Sequence, residues 1–229
     1  VTFKPQPKWI VIGGCLLAFL SAAVNAGFLI RLGTSVSHLT GDVSKVAVDG
    51  MKGDLGMMVE GVRLAIAAAS FVSGATVAGY FIHHPGLDLE RPYGRSVSTI
   101  GLCLLGAHFS LESHPWAAVG LAGFAFGLQN ALATHYRGMI LRTTHLTGLL
   151  TDFGVHIGMR MKGHEIPLWK LTVPGVLILS FFSGAAVGAM MVLWWNLPFA
   201  LLLSMAYLLG GLGWTGFKHL VMKPEDAAK

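Results

Sequence analysis

From Trp9 to Ile30 the chain runs for 22 residues without a charged side chain. A stretch of that length and character spans a bilayer, where each backbone N–H and C=O must find a partner within the protein. Five further runs qualify, near Val62–Ile82, Val97–Leu111, Trp116–Thr134, Val173–Trp195 and Phe199–Phe217. The third is short and is expected to extend at both ends. Only 12% of the 229 residues are charged, against about 25% in a soluble domain. The expected fold is therefore all-α, a polytopic membrane protein of six transmembrane helices. The first run is too long for the core of a secretion signal, so no cleavable signal is expected. Trp9, Trp116, Trp194, Trp195 and Trp214 stand near the ends of runs, as interfacial anchors do. The net charge of +5 includes no dense basic run, so nucleic acid is not an expected partner; membrane lipids are.

With six spans, twelve Lys and Arg fall on the side of the two termini and four on the other. The positive-inside rule then puts both termini in the cytoplasm, with a bacterial inner membrane as the expected location. If two polar interruptions described next were themselves full spans, there would be eight, and the asymmetry would weaken.

The tetrapeptide His-Leu-Thr-Gly occurs twice, at His38–Gly41 and His145–Gly148, each time interrupting the apolar pattern. Its surroundings repeat as well. Asn25 precedes the first copy and Asn130 the second; "SFVSGA" from Ser70 follows the first and "SFFSGA" from Ser180 the second. The offsets are 105, 107 and 110 residues, in the same order. The chain thus reads as two homologous halves, 1–112 and 113–229, each with three spans. An odd number of spans inverts the second half. Inverted repeats with interrupted helices at matching places recur in secondary transporters, with the solute site near the midplane. Thr34, Ser35, Ser37, Thr143 and Thr144 offer caps for short re-entrant helices at the interruptions. "SGATVAG" (Ser73–Gly79) and "SGAAVGA" (Ser183–Ala189) place small residues four apart, as closely packed membrane helices do.

The segments "AAVNAGFLIRLGTSVSHLTGD" and "GLQNALATHYRGMILRTTHLTGLLTDFG" resemble the YoaK-like bacterial membrane proteins, a family catalogued as a domain of unknown function. The resemblance covers nearly the whole chain, and "GLQNA" and "RTTHLTGLLTD" are its most specific parts. It implies a six-span transporter without naming a substrate. The family pattern has Asp-Ala in the first span and Thr-Gly-Asn after the break. Here Asn25-Ala26 and Thr40-Gly41-Asp42 stand in those places. Carboxylate and amide have traded positions, which makes sense if Asn25 and Asp42 touch.

The candidate solute-binding residues are Asn25, His38, Thr40 and Asp42 from the first half, with Gln129, Asn130, His145, Thr147 and Asp152 from the second. Six of them have a plainer reading. Asn25 and Asn130 can hydrogen-bond between helices. Asp42 and Asp152 can be solvated interfacial acids. His38 and His145 can carry a proton or simply hold a carbonyl. His83-His84 with Asp88 makes a weak metal set, since no third ligand is evident. His108 suggests a pigment or haem ligand but has no paired motif. "GGLGWTG" (Gly210–Gly216) lacks the Lys-Ser/Thr of a phosphate loop and fits close helix packing. Cys15 and Cys103 lie in apolar runs and read as packing residues. No nucleophile–base–acid set is present, so no enzyme is expected, and neither a cofactor nor a metal. The first functional reading is a permease for a small polar solute, working by alternating access at the repeat interface. The second is an accessory subunit in a larger membrane complex, contacting pigment, quinone or lipid. A transporter is expected alone or as a homo-oligomer.

Overall fold

The computed structural model describes residues 7–51, 56–81, 93–132, 134–136, 139–141 and 143–221. Among them are eight helices: α1 (Pro7–Leu32), α2 (Leu39–Met51), α3 (Gly56–Phe81), α4 (Tyr93–Ser110), α5 (Pro115–Ala131), α6 (Leu146–Met161), α7 (Trp169–Leu193) and α8 (Phe199–Val221). Four have the length and apolar character to cross a membrane: Ile10–Leu32, Met58–Phe81, Trp169–Leu193 and Phe199–His219. α4 and α5, with 18 and 17 residues, match the two remaining expected runs but are not among those four. Both are packed among neighbours, α4 on α5 and α8, α5 also on α3. A helix so enclosed needs less lipid-facing apolar surface than one at the rim.

Several boundaries differ from the sequence expectation: α3 starts six residues earlier, at Gly56, α7 four earlier, at Trp169, and α8 ends four later, at Val221. α4 gains four residues at its start, but ends at Ser110. α5 stops at Ala131 instead of reaching Thr134. There the chain turns into an antiparallel hairpin, β1 (Thr134–Tyr136) with β2 (Met139–Leu141), pairing His135 with Ile140. The β-branched and aromatic residues after Leu132 favour this ladder over another helical turn. The expected all-α fold therefore holds for the described residues apart from this hairpin.

The long helices pack in three seams: α1 on α7, α3 on α5, and α4 on α8. Each seam depends on glycine. A Cβ at Gly74 would collide with the Phe124 carbonyl of α5, and one at Gly127 with the Phe71 carbonyl of α3. In the α1–α7 seam, Gly184 and Gly188 lie against the carbonyls of Phe19 and Ala23. Gly94 and Gly211 let α4 and α8 touch backbone to backbone. Such approaches bring Cα–H groups onto carbonyl oxygens and gain dispersion that lipid tails cannot match. The order of contacts also fixes direction. Residue numbers rise together along α1–α7 and along α3–α5, so these pairs are parallel; in α4–α8 they run opposite.

The first two seams correspond residue by residue. Gly74 and Gly184 differ by 110 and their partners Phe124 and Phe19 by 105, the offsets already seen between the repeated motifs. Exchanging α1–α4 with α5–α8 maps the principal packed pairs onto one another: α1–α7 becomes α5–α3, α2–α3 becomes α6–α7, α1–α8 becomes α5–α4, and α4–α8 becomes itself, while the slight α7–α8 contact has no α3–α4 counterpart of that extent.

If these seams hold the bundle, Gly74→Ala and Gly184→Ala should each lower stability by about 1–3 kcal/mol through overpacking. Gly79→Ala, with nothing near its Cβ position, should leave it unchanged. Unfolding midpoints of the three variants in one detergent check this.

Candidate functional site: the two interrupted segments

Both His-Leu-Thr-Gly copies begin a short helix. α2 starts at Leu39 and α6 at Leu146, with 13 and 16 residues, and neither is among the helices long enough to cross a membrane. α1 continues seven residues beyond Asn25 before it ends at Leu32. The chain then folds back by that distance, about 10 Å along a helix axis. The bonds to Asn25 show this return. Its side-chain Oδ1 accepts from the Ser35 hydroxyl at 2.8 Å, the Val36 amide at 3.0 Å and the Ser37 amide at 3.1 Å. The Ser35 Oγ in turn accepts from the His38 amide at 3.1 Å. Asp42, in the first turn of α2, accepts from the Ser35 amide at 2.7 Å. Thr34, Ser35, Val36 and Ser37 are all buried. Arg63 of α3 closes the turn from outside, donating to the Leu32 carbonyl at 2.7 Å with its guanidinium over the Trp116 ring.

The second interruption is held from α5. The Thr144 hydroxyl donates to Asn130 Oδ1 at 2.8 Å. Gln129 Nε2 donates to the Thr143 hydroxyl at 2.9 Å and to the Leu17 carbonyl of α1 at 3.1 Å. Its Oε1 accepts from the Tyr207 hydroxyl of α8 at 2.6 Å. Gln129 and Tyr207 are fully enclosed, so these bonds satisfy groups that would otherwise be costly to bury.

The two interruptions approach one another. The His38 ring stands edge-on to Phe181 of α7, centroids 5.0 Å apart, and lies near enough to His145 to feel its charge. Burial, and then His145, hold the His38 imidazole below its ordinary value of 6.5. Asp42 is raised by burial, against the lowering effects of the Ser35 amide and Lys45. His38 Nε2 and Ser37 Oγ are enclosed and have no hydrogen-bond partner.

Of the sequence candidates, Asn25 and Asp42 meet through Ser35, Gln129 and Asn130 grip the second loop, and His38 and His145 are neighbours. Thr40, Thr147 and Asp152 are exposed and make none of these bonds; His145 is exposed too, with its ring against Gly148. Asn25 and Gln129 hold backbone and hydroxyl groups of the chain itself. Sequence reasoning missed Tyr207 and Arg63. A lone tyrosine within an apolar run was the available signal for Tyr207, since a buried phenol requires an acceptor. His108 faces a groove at one end of the bundle rather than its interior. His83-His84 and Asp88 lie outside the described residues. Among the described residues no group of three or more His, Cys, Asp or Glu could hold a metal, and Cys15 and Cys103 are unbridged.

A family model described as "Protein of unknown function (DUF1275)" matches residues 13–214. The chain belongs to the DUF1275 family. The YoaK-like proteins resembled by its two long motifs are members of it. No curated protein and no solved structure matches the chain. The matched span takes in both interruptions, the whole of α3, α4, α5 and α7, and most of α1 and α8. Asn25 and Asp42 have no hydrogen bond to one another; both accept from Ser35, Asn25 from its hydroxyl and Asp42 from its amide.

Two tests follow from this geometry. Asn25→Asp should destabilise, because it sets a second carboxylate against Asp42, and adding Asp42→Asn should restore much of the loss. A coupling of about 0.5–3 kcal/mol is expected in a double-mutant cycle; additive losses would rule out the exchange. For His38, lowered in the folded state, the unfolded chain takes up the proton first. Stability is therefore full above 6.5 and falls as pH drops below it. Acidification from about pH 7.5 to about 5.5 should lower the unfolding midpoint, and His38→Gln should flatten that slope.

Proposed function

We propose that this DUF1275 chain is a six-span transporter for a small polar solute, with residues 1–112 and 113–229 inverted in the membrane and alternating access at their interface. The observation that carries the reading is the exchange relation among the principal packed helix pairs, with His38 and His145, one from each interrupted segment, close enough to interact electrostatically. The alternating directions of the long helices support six crossings, and the charge distribution of the loops supports cytoplasmic termini in a bacterial inner membrane. Re-entrant starts held at depth are where transporters of this design present helix ends and hydroxyls to solute. Ser37 Oγ and His38 Nε2 are the unpartnered polar atoms there, and a solute would supply their bonds. The protein acts alone or as a homo-oligomer, without a catalytic step or cofactor.

One observation favours the second reading, a non-transporting subunit of a larger complex. Asn25 and Gln129 already bind the protein's own backbone and hydroxyls, leaving less of the polar centre for a solute.

The test is reconstitution of the purified chain into liposomes. Tracer counterflow and membrane currents would be read across a panel of sugars, amino acids, small carboxylates and metal cations. Saturable transport of one class, abolished by His38→Gln and Ser37→Ala without a loss in folded yield, is the expected result. Inactivity across the panel together with copurification of unlike chains would favour the subunit. Single cysteines at Ser44 and Lys162, with Cys15 and Cys103 replaced, should label from opposite sides; labelling from one side would reject the inversion.

A further inference from the structure

At the end of the bundle where α1, α4 and α7 finish, a groove of about 360 Å³ opens among Arg31, Leu32, His108, Leu111, Glu112 and Asn196–Phe199. Its floor is firm. Phe199 is buried and meets Phe28 edge-on at 5.8 Å, over Gly27, where any side chain would collide with the Phe199 ring. One rim carries the guanidinium of Arg31 and the amide of Asn196, linked by a long bond of 3.5 Å. Asn196 sits in the left-handed region at φ 47°, fixed there because the amides of Trp194 and Trp195 both donate to the Met190 carbonyl and that of Leu197 to Met191. The other rim carries Glu112. Arg31 and Glu112 do not pair with one another, and Glu112 has no hydrogen bond or ion pair among the described residues. Beside the groove Trp194 and Trp195 are 74% and 51% exposed, as side chains at a lipid headgroup boundary are.

A groove with one open cation, one open anion and an apolar floor is mismatched to a simple anion or a simple cation, since either would meet a like charge. We propose that it binds a zwitterion: an oxyanion on Arg31 and Asn196, an ammonium group on Glu112, and an apolar body over Leu32, Leu197 and Phe199. That chemistry belongs both to the ethanolamine headgroup of a phospholipid and to a free apolar amino acid. The site stands apart from the interrupted segments and does not depend on what passes there.

Thermal unfolding of the whole chain in detergent tests this, with phosphatidylethanolamine, phosphatidylglycerol or free leucine added, for the wild type, Arg31→Gln and Glu112→Gln. Both side chains are exposed, so both variants should fold. Phosphatidylethanolamine or leucine should raise the wild-type midpoint, the one that does so identifying the source. Each variant should weaken that ligand by about two- to fivefold, the range for exposed charge pairs. Phosphatidylglycerol lacks the amine and meets Glu112 as a like charge, so Glu112→Gln should strengthen its effect rather than weaken it. Equal effects of the two lipids on wild type with no effect of leucine, or variants that respond as wild type does, would overturn the proposal.

Discussion

One side-chain oxygen, Oδ1 of Asn25, accepts three hydrogen bonds from the loop between α1 and α2, and the course of the chain depends on them. A loop returning beside a helix in an apolar setting brings unpaired amides with it, each costing several kcal/mol if left so. The long apolar run makes α1; the amide within it decides where the chain can come back. Once Val36 and Ser37 are bonded there, Ser35 is free to bridge. Its hydroxyl serves Asn25 and the His38 amide, and its own amide serves Asp42. α2 then starts in a fixed place, one residue after His38.

The seams constrain the rest. Because α1 packs on α7 and α3 on α5, the first long helix of each half is covered by a helix of the other half. Within residues 1–112 the substantial described packing is that of α2 on α3. Neither half thus buries its own long helices, and the repeat unit of the sequence is not a unit of folding. The glycines at the seams are as much a property of the pair of halves as of either one.

Much of this was legible in the sequence, and for definite reasons. The repeated Asn, His-Leu-Thr-Gly and Ser-Gly-Ala marks are local, so each survives as a string, and the reading of two halves rests on their spacing. Ser35 was legible as a cap, and its hydroxyl accepts from the His38 amide. Thr143 and Thr144 were expected to cap α6 but do not, because their hydroxyls are taken by Gln129 and Asn130, and the N-cap His145 has no side-chain cap bond. Gln129 was visible as a polar residue in an apolar run, but not its partners. Leu17 lies 112 residues away and Tyr207 lies 78 away, distances over which nothing local in the chain signals contact. The end of α5 was misjudged because residues 132–134 are apolar enough to continue a span, and only the pairing of β1 with β2 draws them out. The groove was invisible because Arg31 comes from the last turn of α1 and Glu112 and Asn196 from two separate connections, and each alone looks like a charge or polar group at a span end.

The symmetry is also broken where it matters for motion. At the offset of 105 that relates Asn130 to Asn25, Gln129 corresponds to Val24, a buried apolar residue. The first interruption is therefore hydrogen-bonded mainly within its own half, through Asn25, Ser35 and Asp42, with Arg63 on the outside. The second is bonded through Gln129 to α1 and α8 as well. Moving the first requires exchanging bonds along one stretch of chain. Moving the second requires α1 and α8 to follow, or a buried amide and phenol to lose their partners. The two ends of the interface thus differ in stiffness, and any rocking of the halves would be led from the loop at His38.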